Sequence, residues 1–117
     1  MYDYDHNAPS VEHLKNTHYP MYKIIRDANP DLPIIMASMP CYCFSVEDVL
    51  NRRDVIRDTY ERAIAEGDKN VYFVDGIEDI YKRIDPEMMT VDNCHPNDFG
   101  SYCMADAFGN IIKDLLK

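Results

Sequence analysis

Asp92 and His95 stand three positions apart in the stretch TVDNCHPNDFGSYCMAD, residues 90–106, with Pro96 directly after the histidine. A histidine acting as general base needs one ring nitrogen facing the nucleophile and the other N–H held by an acceptor. A carboxylate in that second place fixes the tautomer and stabilises the imidazolium. Three residues of loop can bring the two side chains together, and Pro96 stiffens the backbone just beyond. The same residues also fit a bland reading, in which Asp92 makes a turn, His95 is a surface residue and Asn97 or Asp98 caps a helix whose first turn Gly100 lets pack closely. Metal binding is a third reading. Cys41, Cys43, Cys94 and His95 offer thiolate and imidazole, but Cys41 and Cys43 are closer than the roughly two to four intervening residues usual in zinc sites. Asp3, Asp5, His6 and His95 offer carboxylate and imidazole, although on an extended segment only Asp3 and Asp5 share a side. Asp75, Glu78 and Asp79 are expected to decorate a solvated loop. His13 and His18 are expected at the surface, and methionines such as Met36, Met89 and Met104 are expected in packing.

The elements that must position these residues alternate along the chain. Ser10 can cap a helix carrying Val11, Leu14, Tyr22 and Ile25 on one stripe, and Pro20 predicts a kink or a second start near Tyr19. IIMAS, residues 34–38, is a short apolar strand. Residues 47–66 form the longest predicted helix, and Gly67 is placed to stop it. NVYFVDG, residues 70–76, is a second strand that ends on an acid. A last helix runs over 99–117, with Ala105, Phe108, Ile112 and Leu115 predicted on its inner face. Helices alternating with wholly apolar strands imply a layered α/β fold with a parallel sheet, because each crossover carries a helix over a sheet face. Two strands alone make a poor sheet, so MYDYD at the start reads as the end of a third.

At 117 residues the chain amounts to one domain with one modest core. Its 12 Lys+Arg against 21 Asp+Glu give a net charge of −9, which disfavours nucleic acid and anionic membranes as partners. No apolar run reaches membrane-spanning length and no export segment is visible. Four cysteines in a helix-rich chain without disulfide-scaffold character read as reduced thiols, which favours a cytoplasmic setting for the chain as given.

In open α/β sheets functional groups collect at the carboxyl ends of strands, where DYDHNAP, MPCYC and VDG all fall. DYDHNAP and HPNDFGSYCMAD together, in this order, resemble the later blocks of the SGNH (GDSL-like) esterase and lipase superfamily, in particular its bacterial branch with an aspartate-rich, Asn-containing third block followed by Ala-Pro. The similarity also takes in RDANPDLPIIMASMP between them. Asp92 to Pro96 satisfy the family's closing D-x-x-H-P motif. The resemblance implies a three-layer α/β/α, flavodoxin-like parallel sheet, no cofactor and no metal, and a small-molecule ester as substrate, with acetyl esters of carbohydrates among the family's range. Carried over by residue, it makes His95 the base that activates a serine and then protonates the leaving alcohol. Asp92 orients that base, and Asn7 is a side-chain donor to the oxyanion. Without the resemblance, Asn7 reads as an Asx turn before Ala8-Pro9.

The family's Gly-Asp-Ser nucleophile block and the glycine of its second block have no counterpart here, since Ser10, Ser38, Ser45 and Ser101 all stand in other contexts. The expectation is therefore that residues 1–117 are the C-terminal part of a single SGNH-type domain, incomplete in its N-terminal strands and inactive alone. An uncovered sheet edge at 34–38 or 71–74 would then favour a homodimer. The alternatives are a metal-binding hydrolase module built on the Asp, His and Cys ligands above, and an interaction domain without catalysis.

Overall fold

A computed structural model describes residues 1–42, 45–84 and 86–117, apart from the Pro86 side chain; Cys43 of the thiolate alternative and Asp85 lie outside the described residues. Helix α1 (Val11–Ala28) starts at Ser10, whose hydroxyl accepts from the His13 amide at 3.1 Å. The break expected at Pro20 does not occur. Pro20 and Asn16 both lie on the exposed face, so water can solvate the carbonyl that the proline leaves without an amide partner. Strand β1 (Ile34–Ala37) leads to helix α2 (Val46–Ala65), capped by the Ser45 hydroxyl on the Asp48 amide at 3.0 Å. Gly67, at φ +94°, ends α2: its amide bonds the Ile64 carbonyl and the next amide bonds Ala63, the pairing of a Schellman stop.

Strand β2 (Val71–Val74) runs parallel to β1, with Ile34 beside Val71 and Ala37 beside Val74. The start of the chain pairs with the other edge of β1. The Tyr2 amide donates to the Ile35 carbonyl at 2.7 Å and the Tyr2 carbonyl accepts from Ala37 at 3.1 Å, a parallel bridge where the third strand was expected. Alternate side chains of the sheet then bury against different layers. Ile34, Met36 and Val71 meet Tyr22 of α1 and Ile56 and Ala63 of α2. Ile35, Ala37 and Val74 meet the last helix, α3 (Asp98–Leu115). The result is a three-layer α/β/α arrangement around a small parallel sheet.

Helix α3 is rotated from the predicted face. Its inner residues are Cys103, Met104, Ala107, Phe108 and Ile111, while Ala105 and Ile112 are exposed. Gly100 sets this rotation: a Cβ there would overlap the Met89 carbonyl, so the helix lies with position 100 inward, and its neighbours at helical spacing follow. Between β2 and α3 the chain makes a π-helical turn at Gly76–Ile80 and single 3-10 turns at Tyr81–Arg83 and Pro86–Met88. Asp75 is buried, contrary to its expected place on a solvated loop; Glu78 and Asp79 are exposed as expected. The Asp75 carboxylate accepts from the Ile77 and Glu78 amides and, at 2.5 Å, from Arg57, and these charge-assisted bonds make burial tolerable. His18 departs from expectation further. It is fully buried, stacked on Tyr2 with ring centroids 4.3 Å apart, and its Nδ1 lies 2.8 Å from the Thr59 hydroxyl.

Candidate active site

The Asp92–His95 loop is closed at its base by backbone bonds. The Val91 amide donates to the His95 carbonyl, the Asn97 amide to the Met89 carbonyl, and Thr90 bridges Pro96 in antiparallel fashion. The Asn97 side chain works on both sides of this closure, accepting from the Gly100 amide as the cap of α3 and donating to the Met88 carbonyl. At the tip, one Asp92 carboxylate oxygen accepts from the amides of Cys94 at 3.0 Å and His95 at 2.7 Å, and the other lies 2.7 Å from His95 Nδ1. These donors, the His95 amide first, hold the Asp92 carboxyl at about 2. It stays ionised across the neutral range and accepts the Nδ1 proton, which leaves the Nε2 lone pair outward on a ring whose side chain is 76% exposed. Asp92 thus makes the turn, His95 is exposed and Asn97 caps the helix, as the bland reading expects, and the same carboxylate also contacts the ring.

Asn7 ends a single 3-10 turn, Asp5–Asn7, reached directly from the Tyr2 bridge. Four hydrogen bonds fix this turn. The buried Asp5 carboxylate accepts from the His6 amide and from the Met39 amide beyond β1, each at 2.7 Å. Arg52 of α2 donates to the carbonyls of Asp5 at 2.7 Å and Ala8 at 2.9 Å, so one buried guanidinium spans the turn. Sequence reasoning considered Asp5 only as a metal ligand and missed Arg52. The signal for Arg52 was its position on the buried stripe of α2, three residues from Val49 and four from Ile56, where a cation has no solvent to face.

Asn7 and His95 line one cleft of about 470 Å³ at the carboxyl edge of the sheet, together with Asp3, Ser38 and Cys94 on its polar side and Phe108 at its apolar floor. The structure thus brings two of the three sequence-predicted residues, Asn7 and His95, to one opening, while Asp92 stands behind His95 and does not line it. Asp3 there has its carboxyl pushed up by burial and by the nearby Asp5 charge. Ser38, the described serine on this cleft, has its hydroxyl engaged by the Gly76 amide at 2.9 Å. Among the described residues no three His, Cys, Asp or Glu side chains group as a metal site, and Asp5 of the carboxylate alternative is taken up by amides instead. No helix among them is long and apolar enough to cross a membrane.

The class of fold is that of the SGNH-type α/β hydrolases. A GDSL-like lipase from Bacteroides ovatus ATCC 8483, so described, superposes with a TM-score of 0.75 at 24% identity over 92% of this chain and 33% of its own. The salicylyl-acyltransferase SsfX3 from a tetracycline biosynthetic pathway superposes at 0.72 with 19% identity, over 96% of this chain and 35% of its own. The chain spans about a third of the length of these two structures. No curated protein matches significantly. The profile of the GDSL-like lipase/acylhydrolase family matches residues 3–113, and the chain belongs to that family, one of ester-type hydrolases.

Proposed function

We propose that this chain supplies the base, its carboxylate partner and an oxyanion donor to a serine esterase acting on a small carboxylic ester. His95 Nε2 takes the proton of a serine hydroxyl and returns it to the leaving alcohol. Asp92 holds Nδ1 and stabilises the imidazolium. The Asn7 side-chain amide faces the oxygen that becomes negative, a contact of a kind worth roughly 3 to 4 kcal/mol in the transition state. The observation that carries this reading is the 2.7 Å contact of Asp92 with His95, whose ring lines the same cleft as Asn7.

The nucleophile belongs to none of the four serines, on the same proposal. Ser10 and Ser45 are occupied as helix caps, Ser38 accepts from Gly76, and Ser101 is exposed on α3. Residues 1–117 then form the C-terminal part of one hydrolase domain and have negligible esterase activity alone. The outer edge of β2, paired among the described residues only with β1, fits self-association, and sedimentation velocity at high concentration tests this. A fluorophosphonate probe tests the placement of the nucleophile: the expected result is no stoichiometric labelling of the 117-residue chain. Clean labelling of one serine, removed by Ser38→Ala, would overturn the assignment of the nucleophile elsewhere.

A further inference from the structure

Cys41 and Cys94 meet beside the candidate base. Cys41, in the connection from β1 to α2, is buried, and its thiol is directed at the Cys94 carbonyl oxygen 3.6 Å away. Cys94 is half-buried, lines the cleft, and immediately precedes His95. We propose that these two cysteines are a redox modification site, oxidised to a disulfide by a small-molecule disulfide of the glutathione class, and that the bond ties the loop after β1 to the Asp92–His95 turn.

The carbonyl oxygen and the sulfur of Cys94 hang from the same residue, so bringing sulfur to sulfur calls for rotation about the Cys94 backbone and side chain. Asn93, in the same turn, is at φ +65°, in the left-handed region that asparagine tolerates better than other residues with a Cβ. Cys103 is placed differently, on α3 against the apolar layer of Ile35, Ala37 and Val74. Access sets the order of events. The cleft-lining Cys94 thiolate attacks glutathione disulfide, forming a mixed disulfide and releasing one glutathione; the Cys41 thiolate then attacks the Cys94 sulfur and releases the second. Two protein thiols lose their hydrogens and one glutathione disulfide becomes two thiols, so the exchange balances.

The same rotation disturbs the site. The Cys94 amide is one of the three donors on Asp92, and turning its peptide withdraws that bond and shifts the support of the His95 ring. Oxidation is therefore expected to change the environment of His95. That consequence is a statement about geometry and holds whether or not His95 is the base of an esterase.

The test incubates the full chain with glutathione disulfide, alkylates the remaining thiols, and maps peptides without reduction while following the His95 ring protons by NMR. The expected result is loss of two hydrogens in the intact mass, a Cys41–Cys94 linked peptide, alkylated Cys43 and Cys103, and His95 resonances that shift on oxidation and return with dithiothreitol. Cys41→Ser, a substitution close in size, should stop at the mixed disulfide on Cys94 and never yield the linked peptide. A glutathione adduct that persists on wild-type Cys94, pairing of Cys94 with Cys43 or Cys103, or thiols that stay reduced would each overturn the proposal. A Cys41–Cys94 bond that leaves the His95 resonances in place would overturn its coupling to the site.

Discussion

Lowering the pH from 7.5 to 4.5 should weaken the fold through His18 by an amount that a neutral replacement abolishes. The Thr59 hydroxyl donates to the Val55 carbonyl, so the Nδ1–H of His18 donates to Thr59, and Nε2 is left inside the core as an acceptor with no hydrogen-bond partner. Protonation would bury an imidazolium with one N–H unpaired. Burial accordingly pushes the ring from 6.5 down to about 4, against a smaller upward pull from the Asp5 carboxylate. The sign follows from the unfolded chain binding the proton first. The contribution is fully present above 6.5 and is lost as pH falls from 6.5 towards 4, and the loss reached at pH 4.5 is about 2.5 kcal/mol. Urea denaturation at the two pH values, for the wild type and for His18→Gln, isolates it. The other acidic groups lose stability alike in both proteins, and only the difference between their pH dependences belongs to His18. The reasoning fails if the two proteins lose the same stability to within about 0.5 kcal/mol.

Arg52→Met keeps most of the side-chain volume but strips the Asp5 and Ala8 carbonyls of their donor; it should cost on the order of 3 kcal/mol by denaturation, with Arg52→Lys recovering part. Gly100→Ala places a methyl group against the Met89 backbone carbonyl and should destabilise by about 1 to 3 kcal/mol, read as a lower thermal midpoint. Titration of the Asp92 carboxyl carbon by NMR should give a midpoint near 2, moving part of the way towards 3.8 in His95→Ala, because the amide donors remain when the ring is gone. An unchanged midpoint in that variant would remove the ring from the support of Asp92.

The strand and helix order was legible because periodicity is a local signal, and so was the pairing of the chain start with β1, which the structure reduces to a single bridge at Tyr2 and which was inferred from the insufficiency of a two-stranded sheet. What was not legible depended on partners distant in sequence. His18 was expected at the surface because nothing at helical spacing could pair with it, yet it lies four residues from Leu14 and four from Tyr22, on the buried line of α1. Its partner Thr59 comes from another helix. Arg52 was hidden in the same way. The inner face of α3 was misjudged because hydrophobicity alone places Ile112 inside, whereas the close approach of Gly100 to Met89 fixes the rotation. Of the candidate site, Asp92 and His95 were readable from spacing, since their contact is local. Asn7 has no local signature and came only through resemblance to a family.

These distant partners also explain how two ends of the chain come to share a cleft. The Asp92–His95 turn holds its own geometry through Asp92 and the closure at Asn97, and needs the rest of the fold only to face the right way. The Asn7 turn has little internal support, and its position is imposed from outside by Met39 of the loop after β1 and by Arg52 of α2. His18 adds a third constraint, through the stacked Tyr2 that anchors the chain just ahead of that turn. A perturbation at His18 or Arg52 should therefore reach Asn7 while leaving the Asp92–His95 contact intact. Oxidation of the Cys41–Cys94 pair should act on the opposite half. The two sides of the cleft are built by different means, one by local hydrogen bonds and the other by buried long-range contacts, and they are open to separate control.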